Sequence, residues 1–201
     1  MPITDLLERN AREFPNDICL VEINPEIKED RRVTWKEYEL IEPSSKTSYR
    51  REITWGVFNE KANRFANLLI QRGIRKGDKV AILMMNGLEW LPIYFGILKT
   101  GALAVPLNFR YSAEEIEYCV KLAEADVLVF SNPFIGRVEE IADRISKGRL
   151  LIYVGEGCPG FADDYNSLSA NCSSQAPMMI LSDDDDAAIY FSSGTTGFPK
   201  A

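Results

Sequence analysis

Residues 79–108 read KVAILMMNGLEWLPIYFGILKTGALAVPLN, and this stretch decides the fold. Its pattern predicts a strand over Val80–Met85, a helix over Leu88–Thr100 that ends at Gly101, and a second strand over Ala102–Leu107. Both strands are apolar at consecutive positions rather than at every second one. Such runs are typical of parallel strands that helices cover on both faces. The stretch therefore predicts a strand–helix–strand unit of a parallel sheet.

The same alternation continues on both sides of this unit. A helix before it has apolar residues at helical spacing from Phe58 to Ile70, and Gly73 ends that helix as a C′ glycine. The remaining predicted elements are a helix over 112–123 that opens with a capping box, strands over Asp126–Phe130 and Leu150–Val154, and a helix over Pro133–Ile145. Since crossovers between parallel strands are right-handed, we predict an α/β fold with a parallel sheet covered by helices on both faces.

The N-terminal residues predict smaller elements. A short helix covers Asp5–Phe14, and a strand follows over Ile18–Ile23. The apolar side of that helix consists of Leu6, Leu7 and Phe14. Residues 24–50 are the least regular part of the chain, and a further short strand covers Arg51–Thr54. We expect a two- or three-stranded antiparallel ribbon here.

The chain divides into two parts on this interpretation. Residues 1–55 hold the N-terminal helix and the ribbon, and residues 56–201 form the α/β subdomain. Within the second part, residues 155–186 are rich in Gly, Pro, Ser and Asp and predict a long surface connection. Ala187–Phe191 is apolar and predicts a final strand.

Composition narrows the class of protein. The 201 residues are 46% hydrophobic and 26% charged, as in ordinary globular proteins. The net charge is −7 and no long Lys/Arg cluster is present, so we expect neither nucleic acid nor an anionic membrane as the main partner. The chain contains no histidine, which excludes Ser-His-Asp triads and the commonest zinc ligand.

Cysteine spacing and hydropathy indicate the compartment. Cys19, Cys119, Cys158 and Cys172 show no C-x-x-C spacing, and we expect reduced thiols rather than a disulfide framework. The N-terminus has no secretory leader pattern, and no apolar run approaches the roughly 18 residues that span a bilayer. We therefore expect a cytoplasmic protein.

The strongest chemical motif follows the last predicted strand. It reads Ser192-Ser193-Gly194-Thr195-Thr196-Gly197-Phe198-Pro199-Lys200. Glycines let the backbone approach phosphate oxygens, N–H groups and hydroxyls supply hydrogen-bond donors, and lysine supplies a positive charge. The motif differs from a Walker A sequence because two residues separate Gly197 from Lys200 and no hydroxyl residue follows the lysine. It predicts a phosphate-binding loop.

This motif resembles the signature loop of the AMP-forming adenylate synthetases, the superfamily of acyl-CoA synthetases, luciferases and peptide-synthetase adenylation domains. The usual form is Tyr-Thr-Ser-Gly-Thr-Thr-Gly-x-Pro-Lys-Gly, and here Ser192 replaces a common threonine and Ala201 a common glycine. The resemblance covers about residues 50–201 and, more weakly, 1–24. The upstream segments that carry it are Ile53-Thr54-Trp55, Asn63-Arg64-Phe65-Ala66, Gly77-Asp78-Lys79-Val80-Ala81, Asn86-Gly87-Leu88-Glu89, Lys99-Thr100-Gly101-Ala102, Val105-Pro106-Leu107-Asn108 and Glu114–Tyr118.

The resemblance implies a two-step reaction. A carboxylate attacks the α-phosphate of MgATP to give acyl-adenylate and pyrophosphate, and a thiol, usually that of coenzyme A, then displaces AMP. The loop would hold the β- and γ-phosphates, which leave as pyrophosphate. The implied roles are hydroxyl donation by Ser192, Ser193, Thr195 and Thr196, close backbone approach at Gly194 and Gly197, and charge from Lys200.

The resemblance also places much of the machinery beyond Ala201. The family's late catalytic lysine lies in a C-terminal domain, and the adenine, magnesium and acyl sites lie later in the chain, so we assign no catalytic residue and no metal site here. We expect the parent to be an ATP-dependent acid–CoA ligase, connected with fatty acid metabolism, and the 201 residues alone to be a truncated, inactive piece. The acid activated, the thiol acceptor and a homodimeric state stay open.

Two other classes of protein compete with this interpretation. Gly155 to Gly160 satisfies the G-x-G-x-x-G pattern of dinucleotide-binding oxidoreductases, yet Glu156 would face pyrophosphate, Pro159 removes a donor and no helix is predicted to begin there. We interpret that segment as a turn. A non-catalytic interaction module is the second alternative and predicts no response to nucleotide. Asp183–Asp186 is interpreted as a solvated turn rather than a cation site.

Overall fold

The computed structural model describes residues 1–23, 50–145, 148–192 and 199–200. A five-stranded parallel sheet carries helices on both faces, and a two-stranded antiparallel ribbon precedes it, so the predicted fold class is confirmed. The strands are β1 (Ile18–Ile23), β2 (Arg50–Thr54), β3 (Lys79–Leu83), β4 (Leu103–Pro106), β5 (Val127–Ser131), β6 (Leu150–Val154) and β7 (Asp163–Asp164). The helices are α1 (Ile3–Glu13), α2 (Trp55–Gln71), α3 (Trp90–Lys99), α4 (Ala113–Leu122), α5 (Ile135–Ile145) and α6 (Tyr165–Ala170).

The sheet has the strand order β4-β3-β5-β6-β7, and every neighbouring pair is parallel. Side chains alternate between its two faces, so each strand contributes to two cores. In β3, Val80 and Ile82 pack with α2, α3 and α6, whereas Ala81 and Leu83 pack with α4 and α5. This two-sided burial is the physical reason for the continuous apolar runs in the sequence.

Local signals fix the ends of the helices. The Thr54 hydroxyl accepts a hydrogen bond from Val57 N at the start of α2, and Ser112 and Glu115 form the predicted capping box of α4. Gly73 has φ +89° beyond α2, a conformation that favours glycine. None of the helices in residues 1–23, 50–145 and 148–192 has both the length and the apolar character needed to cross a bilayer.

A close contact between α2 and α3 lies at Gly96. A Cβ atom at this position would lie 2.9 Å from the carbonyl oxygen of Ala62 and 2.9 Å from the ring of Phe65. Both of those residues are completely buried. Glycine therefore allows α3 to pack directly against the backbone of α2.

The N-terminal helix is in place, but its buried side differs from the prediction. Thr4 and Leu7 are buried in α1, whereas Leu6 and Phe14 are exposed. β1 and β2 pair antiparallel with an irregularity between Ile18 and Leu20. The expectation of a two- or three-stranded ribbon left room for a third strand in residues 24–49, which are outside the described part of the chain.

A buried ion pair joins α1 to α3. The side chain of Lys99 is 2% exposed, and its Nζ lies 2.6 Å from Glu8 Oε1. Burial lowers the pKa of Lys99, while Glu8 and the nearby Asp5 oppose that shift. The pair is a cationic group held in the protein interior by one half-exposed carboxylate.

Residues 155–186 differ most from the prediction. The expected surface connection contains β7 and α6, because Tyr165 is buried in the core under α2 and Asp164 caps the helix by accepting a hydrogen bond from Ser167 N. Beyond α6 the chain is held by side chains of α2. Asn63 donates to Ser174 O, Arg64 to Ala170 O and Cys172 O, and Asn67 to Ser173 O and Gln175 O.

Candidate phosphate-binding site

The segment that leads to the predicted loop runs beside β4. Ala104 N donates to Ala187 O at 3.0 Å, and Ile189 N donates to Ala104 O at 2.9 Å. These two bonds make one parallel bridge between Ala104 and Ala188. The predicted final strand over Ala187–Phe191 is therefore wrong in extent, because among the described residues this segment forms only the single bridge at Ala188.

Pro106 explains why the pairing stops. Leu107 N donates to Ile82 O in β3, so the odd-numbered residues of β4 direct their backbone groups toward β3 and the even-numbered ones toward the 187–191 segment. The next bond of a parallel ladder would run from residue 106 N to Ile189 O. Proline has no N–H, so this bond cannot form.

Side chains hold the segment where the ladder does not. Ile189 and Phe191 pack against the core beneath α4 and α5, and Ala188 packs against the core on the other face. Tyr190 is 64% exposed, and its hydroxyl oxygen lies 3.1 Å from that of Tyr94 on α3. The alternation shows that residues 188–191 keep the orientation of an edge strand without its ladder.

The two ends of the predicted loop meet. Ser192 N donates to Lys200 O at 2.7 Å, and Lys200 N donates to Ser192 O at 3.1 Å, which makes an antiparallel pair. The Ser192 hydroxyl also donates to Lys200 O at 3.2 Å. Pro199 is buried beside this pair, and the Lys200 side chain is exposed. The structure thus brings together the first and last residues of the predicted site.

The other predicted site residues are Ser193, Gly194, Thr195, Thr196 and Gly197. They lie outside the described residues, so their roles stay predictions.

The Ser192–Lys200 pair lies at the end of the sheet where α/β proteins bind ligands. Because Ala188 runs parallel to Ala104, the residues after it continue in the direction of β4. Ser192 follows Ala188 by four residues, whereas β4 ends two residues after Ala104 at Pro106. The pair therefore lies beyond the carboxyl end of β4, the edge where open parallel sheets bind their ligands.

Comparison with known proteins identifies the family of this chain. A model of the AMP-binding enzyme family matches residues 42–201. The chain belongs to the AMP-binding enzyme family.

Relatives of this chain include acid–CoA ligases. It is 32% identical over 161 residues to the long-chain-fatty-acid–CoA ligase FadD13 of Mycobacterium tuberculosis, with 80% of this chain and 30% of that protein covered. It is 37% identical over 156 residues to the crotonobetaine/carnitine–CoA ligase of Salmonella heidelberg, with 75% of this chain and 30% of that protein covered. The chain thus spans about a third of the length of these curated relatives.

A solved structure supports the fold along almost the whole chain. The crystal structure of the anthranilate CoA ligase AuaEII in complex with anthranoyl-AMP superposes with a TM-score of 0.79 and 26% identity, covering 99% of this chain and 34% of that one. The anthranoyl-AMP belongs to that protein. For this chain the superposition confirms the N-terminal architecture of an acid–CoA ligase.

The second glycine motif of the chain is a turn, as predicted. Gly155–Gly160 follows β6, and the Tyr153 hydroxyl donates to Glu156 O at 2.9 Å across it. The next helix, α6, begins only at Tyr165, after β7. A dinucleotide fingerprint places its last glycine at the start of a helix, so this segment lacks that geometry.

The acidic run forms ion pairs. Asp183 Oδ2 lies 2.7 Å from the terminal amine of Met1, and Asp185 Oδ2 lies 2.5 Å from Lys76 Nζ. These hydrogen bonds hold the pKa values of Asp183 and Asp185 below their usual range. Among the described residues, no three His, Cys, Asp or Glu side chains are grouped so that they could hold a metal ion.

Two features of the site were not predicted from the sequence. The contact between Tyr94 and Tyr190 joins residues 96 positions apart, and no local pattern signals such a pair. The effect of Pro106 on the edge of the sheet could have been anticipated, because a proline at the end of a predicted strand removes a ladder donor.

Proposed function

We propose that this chain is the N-terminal part of an ATP-dependent acid–CoA ligase and that Ser192–Lys200 binds the β- and γ-phosphates of ATP. One observation carries the proposal. A segment with the composition of a phosphate loop has its two ends hydrogen-bonded to each other beyond the carboxyl end of β4, in a chain of the AMP-binding enzyme family. The ligase names of the relatives support the reaction class.

The proposed reaction forms and breaks two bonds in sequence. A carboxylate oxygen of the acid attacks the α-phosphorus of ATP, and the bond to the bridging oxygen of pyrophosphate breaks. The thiol of coenzyme A then attacks the acyl carbon and AMP leaves, with the thiol proton passing to solvent. Negative charge grows on the leaving pyrophosphate in the first step, so donors fixed around it lower the barrier.

The loop residues fit the task of holding a polyanion. Hydroxyls of Ser192, Ser193, Thr195 and Thr196 would donate hydrogen bonds to phosphate oxygens, and Gly194 and Gly197 would let backbone N–H groups approach. Lys200 would place its ammonium against the terminal phosphates. Magnesium would enter with ATP as part of the substrate.

The acid is proposed only as a class. Fatty, carnitine-type and aromatic acids appear in the names of the ligases that resemble this chain, and each belongs to its own protein. We propose a carboxylic acid substrate and coenzyme A as the acceptor. Because the 201 residues span about a third of such ligases, we propose that they do not complete the adenylation reaction alone.

Equilibrium binding of pyrophosphate and MgATP to the 201-residue chain tests the phosphate site. Lys200→Ala removes the exposed ammonium and should weaken pyrophosphate binding roughly tenfold or more, since hydrogen bonds to charged groups contribute about 1.5–3 kcal/mol. Lys121→Ala is the matched control, because it removes the same charge from the exposed surface of α4. Equal effects of both substitutions, or no saturable binding to the wild type, would contradict the proposed site.

Exchange of labelled pyrophosphate into ATP tests the proposal that the 201 residues do not complete the adenylation reaction alone. The folded 201-residue chain should give no exchange above background with a panel of fatty and aromatic acids. The same assay on a longer polypeptide should give exchange with one class of acid. Exchange by the 201 residues alone would show that a complete adenylation site lies within them.

A further inference from the structure

The backbone that leads into the proposed phosphate loop lacks one ladder hydrogen bond to β4. This backbone is tied to β4 through Ala104, and Ser192 is tied to Lys200. Between these two points, Pro106 removes the ladder bond that would otherwise reach Ile189 O. Side chains then help to fix the backbone over this step, and one of them belongs to Tyr190.

Tyr190 meets a tyrosine that is itself held in place. The ring of Tyr94 stacks on that of Trp90, with the centroids 5.3 Å apart and the planes 12° from parallel. It also packs edge-on with the ring of Phe95, with the centroids 6.3 Å apart. α3 is anchored against α2 through the close contact at Gly96. The Tyr94 hydroxyl is therefore a fixed point, 3.1 Å from the hydroxyl of a side chain that is otherwise exposed.

We propose that Tyr94 is a positioning residue for the phosphate loop, because it holds Tyr190, and with it Ser192, at the step where Pro106 interrupts the backbone ladder. The proposal rests on the proposed function for its ligand, pyrophosphate or the terminal phosphates of ATP. Its structural half, that Tyr94 fixes the 189–192 backbone, rests on the geometry alone.

The protonation state of the pair suits this role. Burial raises the pKa of Tyr94, and the hydrogen bond with Tyr190 raises it further. Tyr94 therefore keeps its proton throughout the neutral range, where its hydroxyl can donate to that of Tyr190.

Amide hydrogen exchange, measured by NMR on the 201-residue chain, tests the structural half. Tyr94→Phe removes the hydroxyl and keeps the ring on Trp90. Exchange at Ile189 N–H and Ser192 N–H should accelerate roughly twofold to tenfold, the range that corresponds to one net hydrogen bond. Exchange in β5 should not change. Tyr118→Phe is the control, because it deletes a tyrosine hydroxyl from α4 on the opposite face of the sheet.

Two further variants identify the cause. Tyr190→Phe should accelerate the same amides by the same factor, and the double variant with Tyr94→Phe should add nothing, because both changes remove one shared bond. Pro106→Ala supplies an N–H directed at Ile189 O. Combined with Tyr94→Phe, it should return exchange at Ser192 N–H toward the wild-type rate. Unchanged local exchange in Tyr94→Phe, or acceleration that extends to β5, would overturn the proposal.

Pyrophosphate binding tests the functional half. The dissociation constant should rise by the same roughly twofold to tenfold in Tyr94→Phe and stay unchanged in Tyr118→Phe. Faster local exchange with an unchanged dissociation constant would overturn the positioning role. If the wild type binds no pyrophosphate, the proposed function fails for this chain, and the exchange data still decide whether Tyr94 fixes the segment.

Discussion

The ion pair between Lys99 and Glu8 gives a sharp prediction of stability. Glu8→Gln keeps the shape of the side chain and removes the only carboxylate within 4.0 Å of the buried ammonium in the described part of the chain. Breaking a buried pair from one side typically costs about 3–5 kcal/mol. Because Glu8 is 43% exposed, water screens its attraction, and we expect a loss of about 1–3 kcal/mol in the free energy of unfolding at neutral pH.

The loss should depend on pH in a direction set by Lys99. Its pKa in the folded protein lies below the value in the unfolded chain, so between these two values the unfolded state binds more protons and stability rises with pH. Glu8 opposes that shift, and removing it lowers the folded-state pKa further. The difference between wild type and Glu8→Gln should therefore be largest near neutrality and shrink as pH rises, because the folded variant then gives up its buried proton.

Urea unfolding near pH 7 and near pH 9.5 measures both effects. Glu13→Gln is the matched control, because it makes the same change on α1 at a site whose nearest cation, on Arg12, is 4.0 Å away and exposed. Adding Lys99→Met to Glu8→Gln removes the stranded charge and should recover most of the lost stability. Equal losses in Glu8→Gln and Glu13→Gln, or a loss that does not vary with pH, would refute the reasoning.

Two further substitutions test how α2 holds its neighbours. Gly96→Ala should destabilise the protein by about 1–3 kcal/mol in thermal or urea unfolding, because the new Cβ would lie 2.9 Å from Ala62 O and the helix backbone would have to shift. An effect below about 0.5 kcal/mol would contradict this. Asn67→Ala should speed proteolytic cleavage of residues 173–181 and lower stability by about 0.5–2 kcal/mol, because the Asn67 amide no longer donates to Ser173 O and Gln175 O. Cleavage at the wild-type rate would show that Asn63 and Arg64 suffice.

The sheet could be predicted because its signals are local. A strand buried on both faces needs apolar residues throughout, as in Val80–Leu83, and that requirement is visible in a few consecutive letters. The capping box at Ser112 is likewise complete within four residues. The proposed site motif is recognisable in the sequence for a similar reason, because phosphate binding by a loop uses consecutive residues; its role stays a prediction.

The predictions were wrong where residues distant in the sequence determine the local structure. α6 has little apolar periodicity of its own and forms because Tyr165 fills the core beneath α2. In α1, packing against the rest of the chain buried Thr4 rather than Leu6. The predicted final strand was wrong because Pro106, on the neighbouring strand β4, has no N–H to donate. The apolar pattern within 187–191 carries no information about that residue.

The pairing of Ser192 with Lys200 also limits how far the loop can reach. Eight Cα-to-Cα steps separate two residues that lie side by side, so the midpoint of the intervening chain can extend at most four steps, roughly 15 Å, from the pair. The length of the chain alone therefore keeps every residue between Ser192 and Lys200 within that radius of the pair. A phosphate group bound by this loop, as proposed, would lie near the carboxyl end of β4, so the edge of the sheet determines where the proposed site is.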